Sequence, residues 1–183
     1  AWAPVTDYSE EARKQAEGPH ARLILDTFHP TAAADIGCGF NYLAQWVNER
    51  AGFSLMTGFD KDNPAADMIA DITEAAFPFR RCFPLVVCRE VLEHLTIRDV
   101  TQAVRNLCGM SSRFVYVTTR FAKTPAHLLS VDTSDDLDPT HITMLNQDFL
   151  RVLFVLEGFT RRADLEAKLD WQGKGRVLVY ERV

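Results

Sequence analysis

Glu90, Glu93 and His94 stand within five residues of one another in the stretch "CREVLEHL". Positions i, i+3 and i+4 share one face of an α-helix, so a helix starting by Glu90 converges two carboxylates and an imidazole. That donor set suits Mg²⁺, Mn²⁺, Fe²⁺ or Zn²⁺. His141, in "DPTHI", is a candidate fourth ligand. Without a metal, His141 is a candidate general base, since an unperturbed imidazole titrates near pH ~6.5. Glu93, His94 and His141 are thus the candidate catalytic residues, and Glu90, Glu93, His94 and His141 the candidate metal ligands. The competing reading has the acidic residues capping a helix and the histidine packing locally.

Something must position these groups. The apolar run Leu85-Val86-Val87-Cys88 reads as a buried strand that delivers "CREVLEHL" at its carboxyl end. Four more strands precede or follow it: Ala32–Ile36, Phe53–Phe59, Asp67–Ala70 and Phe114–Val117. Amphipathic helices are read around Tyr42, Leu43, Trp46 and Val47, from Ile97 to Leu107, and around Phe149, Leu150, Leu153 and Phe154. Ser9–Glu17 reads as one N-terminal helix and Pro19–Phe28 as a second, separated at Gly18-Pro19. The tail reads as two strands, Phe159–Leu169 and Arg176–Glu181, around the turn-rich "WQGKG". Strands alternating with helices give an α/β class: a Rossmann-like three-layer sandwich with a mostly parallel sheet and a C-terminal antiparallel hairpin.

The most informative loop is "AADIGCGFNYLAQW". Gly37 and Gly39 lie between a strand and a helix, where a missing Cβ allows a tight turn and close ligand approach. Asp60 ends the next strand, where a carboxylate can accept hydrogen bonds from both hydroxyls of a ribose. Tyr42 fills the place of the third glycine of a pyrophosphate loop, so a nucleoside without phosphates fits better and a nicotinamide-linked oxidoreductase is disfavoured.

At this point the sequence resembles the class I S-adenosylmethionine-dependent methyltransferases, over residues 31 to 181 or so. "DIGCGF" resembles the first motif of that superfamily, with Asn41 in place of its third glycine, a residue that tolerates left-handed backbone. "TGFDKD" resembles the second, "ADITEAAFPF" the segment carrying an Asp-hydrophobic pair beside adenine, and "PLVVCREVLEHL" the fourth strand and its turn. "E-x-x-E-H" with a later His resembles the metal site of small-RNA 2′-O-methyltransferases and also occurs in O-methyltransferases of ubiquinone biosynthesis. The resemblance implies seven strands, S-adenosyl-L-methionine as cofactor, and methyl transfer. It places Asp35, Gly37, Cys38, Gly39, Asp60, Lys61, Asp71, Ile72, Cys88 and Arg89 at the cofactor. The acceptor itself is not identified by any motif; a hydroxyl of a small molecule is the expectation. The alternatives are a metal-dependent RNA 2′-O-methyltransferase and a non-catalytic nucleoside- or partner-binding domain of the same fold.

The bulk properties narrow the partners. The 183 residues suit one domain: a helical segment, 1–30, and a core, 31–183. A net charge of −5 disfavours broad nucleic-acid binding, though an RNA end needs only a local basic patch. No apolar run approaches the ~20 residues of a membrane span, so no membrane association is expected. The four cysteines form no C-x-x-C pair, and free thiols point to a reducing, cytoplasmic setting. Arg120 and Phe121 are expected at an acceptor pocket, with the acidic run Asp132, Asp135, Asp136 and Asp138 as further candidates. Trp46 and Trp171 are assigned to packing, and His20, His29 and His127 to the surface.

Overall fold

A computed structural model describes residues 10–122 and 140–183. His127 and the acidic run from Asp132 to Asp138 lie outside the described residues. The first element is a single helix, α1 (Glu10–Phe28), which passes unbroken through Gly18-Pro19. This corrects the expectation of two helices. Gly18 lies against the Trp46 ring, where an added Cβ would sit 3.6 Å from it, and Trp46 Nε1 donates to the Lys14 carbonyl at 2.6 Å. Packing on the next helix thus holds a segment that its proline would otherwise interrupt. Ala21, Ile24 and Phe28 form the buried face.

The chain continues through β1 (Ala33–Ile36), α2 (Tyr42–Ala51), β2 (Met56–Asp60), β3 (Met68–Ile69) and β4 (Phe83–Arg89). A one-turn 3₁₀ segment, Leu92–His94, precedes α3 (Ile97–Met110) and β5 (Ser111–Thr118). Then come α4 (Gln147–Leu156), β6 (Phe159–Arg161), α5 (Ala163–Leu169) and β7 (Val177–Arg182). The seven strands form one sheet in the order β3-β2-β1-β4-β5-β7-β6. The first five are parallel; β7 runs antiparallel between β5 and β6. Residues alternate between two apolar layers. Ala34, Val86, Val115 and Leu178 face α3 and α4, while Ala33, Leu85, Val87 and Val179 face α1 and α2. A strand buried on both faces must be apolar throughout, which explains the uninterrupted Leu85–Cys88 run.

The tail departs from the expected pair of long strands. Phe159–Arg161 is a strand, but "ADLEAKL" forms α5, as its strong helix formers favour. The Glu166 carboxylate fixes that helix to the sheet, accepting from Arg161 Nη2 at 2.6 Å and Val179 N at 3.3 Å.

Candidate functional site

The carboxyl ends of β1, β4 and β5 open into a cavity of about 670 Å³. Its walls are the Gly-rich loop, the inner face of α1, and the turn between α5 and β7. β1 and β4 pair in register, Ile36 opposite Cys88, so the Gly-rich loop and Arg89 leave the sheet side by side. A crevice at this rim is where open α/β sheets bind ligands.

The loop is built for close approach. Gly37 has φ 71°, and a Cβ there would sit 2.3 Å from Val91 Cγ2. Its glycine therefore serves packing against the β4 exit. Gly39 has φ 53°, and nothing lies within 4 Å of an added Cβ. Asn41 adopts φ 63°, the left-handed geometry expected of it, as the residue before α2. Its buried Oδ1 lacks a hydrogen-bond partner and lies 1.9 Å from where a Cβ on Gly58 would be. Gly58 is thus the glycine on which the loop rests, a requirement that sequence spacing does not reveal.

Asp60 ties this loop to β2. Its Oδ2 accepts from Gly39 N at 3.0 Å, and its Oδ1 accepts from Asp62 N and Asn63 N at 3.2 Å each. Lys61 beside it is exposed. Asp71 accepts from both Thr73 N, at 2.9 Å, and Thr73 Oγ1, at 2.7 Å, an Asx turn that shapes its own loop. Ile72 is buried in the core layer under α3, and its carbonyl accepts from Asn106 Nδ2 at 2.7 Å. Asp60, Lys61, Asp71 and Ile72 do not line the large cavity; they stand beyond the Gly-rich loop from it. Asp35, Gly37, Cys38, Gly39 and Arg89 do line it. The Cys88 side chain lies in the core, so only its backbone is directed along the sheet edge.

Electrostatics distinguish the two charged groups at the ends of β1 and β4. Burial pushes the Asp35 carboxyl up to about 7, against the opposing pull of the Arg89 guanidinium. Arg89 itself pairs with Glu17 of α1 at 2.5 Å, and its buried Nε lacks a hydrogen-bond partner. His20 of α1 also lines the cavity, where burial and then the Arg89 charge lower its imidazole to about 4. It is thus a neutral ring in the cavity wall, not the surface residue expected. Trp171 meets it edge-on with centroids 5.7 Å apart. Trp171 stands at the cavity rim as well as packing. Neither α1 nor the "WQGKG" turn carries a motif, so spacing along the chain holds no sign of Glu17, His20, Lys174 or Arg176.

Asp35 has a measurable consequence for stability. An unfolded Asp ionises near pH 3.8, whereas the folded carboxyl keeps its proton to about 7. Between those pH values the folded state binds more protons than the unfolded one, so stability falls as pH rises and stays reduced above pH 7. Asp35→Asn removes that loss. Its melting temperature should exceed that of the parent protein at pH 8, and the gap should close below pH 4. Equal gaps at both pH values would refute this reading of Asp35.

The Glu-Glu-His helix face does not exist. β4 runs through Arg89, which pairs with Thr118; Glu90 then turns at φ 52°, and its N–H donates to the Thr118 carbonyl at 2.8 Å. The 3₁₀ turn begins only at Leu92, and Thr96 starts α3 with its hydroxyl donating to Asp99 Oδ2 at 2.6 Å. Glu90 therefore shares no helix face with the other two, although its carboxyl still reaches that of Glu93. It lines the cavity, 3.7 Å from both Arg120 Nε and Arg176 Nη1.

Glu93, His94 and His141 do come together, with ligand atoms within 4.8 Å of one another. Thr143 N donates to the Glu93 carbonyl at 3.0 Å, which brings His141 over the 3₁₀ turn. The two imidazoles stand 4.7 Å apart between centroids. His94 Nδ1 lies 3.2 Å from the Thr140 carbonyl oxygen. The Thr140 hydroxyl lies 3.0 Å from the same nitrogen, so Thr140 holds this edge of the ring through both of its oxygens. Glu93 is fully buried. Thr119 Oγ1 donates to its Oε2 at 2.7 Å, while Oε1 has no hydrogen-bond partner. Burial first, and then the nearby Glu90 charge, raise its carboxyl. The trio does not line the large cavity; Glu90 stands between them. From the last residue of β5 onward, side chains point to alternate places: Thr118 and Arg120 line the cavity, Thr119 reaches Glu93, and Phe121 packs on the core.

The strand order, the single antiparallel strand β7 and the Gly-rich loop after β1 make a fold shared with solved methyltransferase structures. No protein-family model and no curated protein matches the sequence, whereas solved structures do. One is the magnesium protoporphyrin IX methyltransferase ChlM from Synechocystis PCC 6803 with bound SAH. It is 13% identical, with 100% of this chain and 90% of that chain covered and a TM-score of 0.63. A SAM-dependent methyltransferase from Archaeoglobus fulgidus is 12% identical, with coverage of 96% and 100% and a TM-score of 0.67. The [4+2]-cyclase SpnF, 13% identical with coverage of 92% and 81%, gives 0.63. Among the described residues no helix is long and apolar enough to cross a membrane.

Proposed function

We propose that this chain is an S-adenosylmethionine-dependent methyltransferase acting on a hydroxyl of a small molecule. The observation that carries this reading is the Gly-rich loop hydrogen-bonded to Asp60 at the rim of the 670 Å³ cavity. The residues fit the cofactor. Asp60 would accept from the ribose hydroxyls, Gly39 leaves open space above its Cα, and the buried Arg89 Nε is an unanswered donor beside the loop. Asp71 and Ile72 would flank adenine, and Cys38, Lys61 and the Cys88 backbone would complete the enclosure. S-adenosylmethionine, when bound, supplies a methyl group on a sulfonium, an excellent leaving group. The protein then has chiefly to align an acceptor oxygen, exclude water and take up one proton. α1 covers the cavity; His141, with Glu93 and His94, stands beyond Glu90 from it and would take the proton from an acceptor that reaches past that residue.

A second reading of the same trio is a divalent metal site. The buried Glu93 Oε1, which accepts no hydrogen bond, and the Glu90 carboxyl beside it favour it, because a cation would offset the repulsion of two carboxylates. Glu93, His94 and His141 would hold Mg²⁺, Mn²⁺, Fe²⁺ or Zn²⁺, and Glu90 would approach from the cavity side. Such an ion would lower the pKa of an acceptor hydroxyl. RNA 2′-O-methylation shares this arrangement, but the net charge of −5 favours a small acceptor. We assign the protein to the cytoplasm on its four free thiols.

Calorimetric titration tests the first reading: S-adenosylhomocysteine should bind and NAD should not. Absence of S-adenosylhomocysteine binding would remove the proposal. For the metal, Zn²⁺ or Mn²⁺ should bind the chelator-stripped protein with one-to-one stoichiometry, and Glu93→Gln should weaken that binding at least ~10-fold. Equal affinity in parent and variant would return the trio to a structural role.

A further inference from the structure

Two pairs of aromatic rings bracket the cavity. Phe40, in the Gly-rich loop, and Tyr42, at the start of α2, stack with centroids 5.6 Å apart and planes 18° from parallel. His20 and Trp171 meet edge-on where α1 approaches the turn before β7. β4 and β5 lie between β1 and β7, the strands that carry these two walls, so the walls leave the sheet roughly 14 Å apart. Phe40 and Trp171 are each 51% exposed, which leaves a large apolar face toward water on either side. The backbone holds both rings in place. Phe40 lies between the left-handed residues Gly39 and Asn41, φ 53° and 63°, in a turn closed by Asn41 N donating to the Cys38 carbonyl at 2.9 Å. Trp171 follows Asp170, whose carbonyl accepts from Gly173 N at 2.8 Å and whose carboxylate accepts from Lys174 N at 3.0 Å and Gly175 N at 2.9 Å.

We propose that Phe40 and Trp171 grip a planar aromatic ring of the methyl acceptor, which makes the acceptor a phenol rather than an aliphatic alcohol. This rests on the methyltransferase reading above and narrows its substrate class. Aromatic rings attract one another in offset-stacked and edge-on arrangements, a preference that a saturated ring does not satisfy. The residues assigned to ribose and adenine, Asp60, Asp71 and Ile72, stand beyond the Gly-rich loop, so the cavity face of Phe40 is left to another ring. A quaternary ammonium is the other guest that aromatic walls take. Here the Arg13 guanidinium already lies 6.0 Å from the Phe40 centroid, and a second cation would be repelled. His20, lowered to about 4, brings no charge to the opposite wall. A neutral ring therefore suits both walls.

The test titrates protein saturated with S-adenosylhomocysteine, by calorimetry, with 2-naphthol, its saturated counterpart decahydro-2-naphthol, and choline. 2-Naphthol should bind about 5-fold tighter than the saturated alcohol, and choline should not bind. Phe40→Leu and Trp171→Leu keep an apolar side chain and remove the ring, and since both positions are half exposed neither change opens the core. Each should lower 2-naphthol affinity about 5-fold and shrink its preference over the saturated alcohol, while S-adenosylhomocysteine still binds as in the parent. The proposal is overturned if 2-naphthol does not bind, if the saturated alcohol or choline binds the parent as tightly, or if either variant retains full 2-naphthol affinity. It is also overturned if the variants lose S-adenosylhomocysteine instead, since the rings would then serve the cofactor's own adenine. Failure of the parent protein to take S-adenosylhomocysteine at all is a separate result, which strikes the methyltransferase reading itself.

Discussion

Asp60→Ala is expected to weaken S-adenosylhomocysteine binding by about two orders of magnitude, since two hydrogen bonds to a charged acceptor contribute about 1.5–3 kcal/mol each and are not fully additive. The loss has two physical parts. One is the pair of ribose hydroxyl bonds assigned to this carboxylate. The other is the bond that Asp60 Oδ2 accepts from Gly39 N, which holds the loop against β2 before any ligand arrives. Asp60→Asn separates them. Its side-chain oxygen can still accept from Gly39 N, so the loop keeps its shape, while the charge and one acceptor are lost. The asparagine variant should therefore fall between parent and alanine in calorimetric affinity. Unchanged affinity in Asp60→Ala would mean that the ribose lies elsewhere.

The other large effect is on folding. Gly37→Ala puts a methyl group 2.3 Å from Val91 Cγ2 at a φ of 71°. Overpacking and left-handed strain together should cost about 3 kcal/mol, lowering the melting temperature by about 6–12 °C in a domain of this size. Gly39→Ala is the matched control. It has a similar φ, 53°, but open space around the added carbon. It should cost only about 1 kcal/mol in stability and should show itself mainly as weaker S-adenosylhomocysteine binding. Equal melting temperatures for the two variants would show that the contact with Val91 relaxes freely. The pairing of these variants distinguishes a glycine needed by the protein from one left open for a ligand.

The sequence is most readable where one physical cause dominates. Strands buried on both faces have to be apolar runs, and β1, β4 and β5 stand out accordingly. The Gly-rich loop and Asp60 are visible because turn geometry and ribose recognition each demand a residue type. Local signals mislead where tertiary contacts override them. The proline at position 19 suggests a break, but Trp46 packed on Gly18 keeps α1 whole. "ADLEAKL" follows a strand and invites the same reading, although its composition favours the helix that Glu166 anchors. The difference at Glu90 is the most instructive. Thr96-x-x-Asp99 is a capping signal, and it marks the true start of α3 six residues later. That cap is itself written in the residue types, and by itself it sets Glu90 outside the helix. The pair of guanidiniums beside Glu90 has no such signal, because Arg120 and Arg176 become neighbours only through the pairing of β5 with β7.

The alternation after β5 has a consequence for how such a site can change over generations. Thr118 and Arg120 belong to the cavity, and Thr119 between them supports the Glu93 trio. Point substitutions can tune either place alone. Insertion or loss of one residue cannot, because a single step reverses which side every residue faces. It would exchange the guanidinium and the hydroxyl between the two places at once. The length of this short segment is therefore more tightly constrained than any single residue in it.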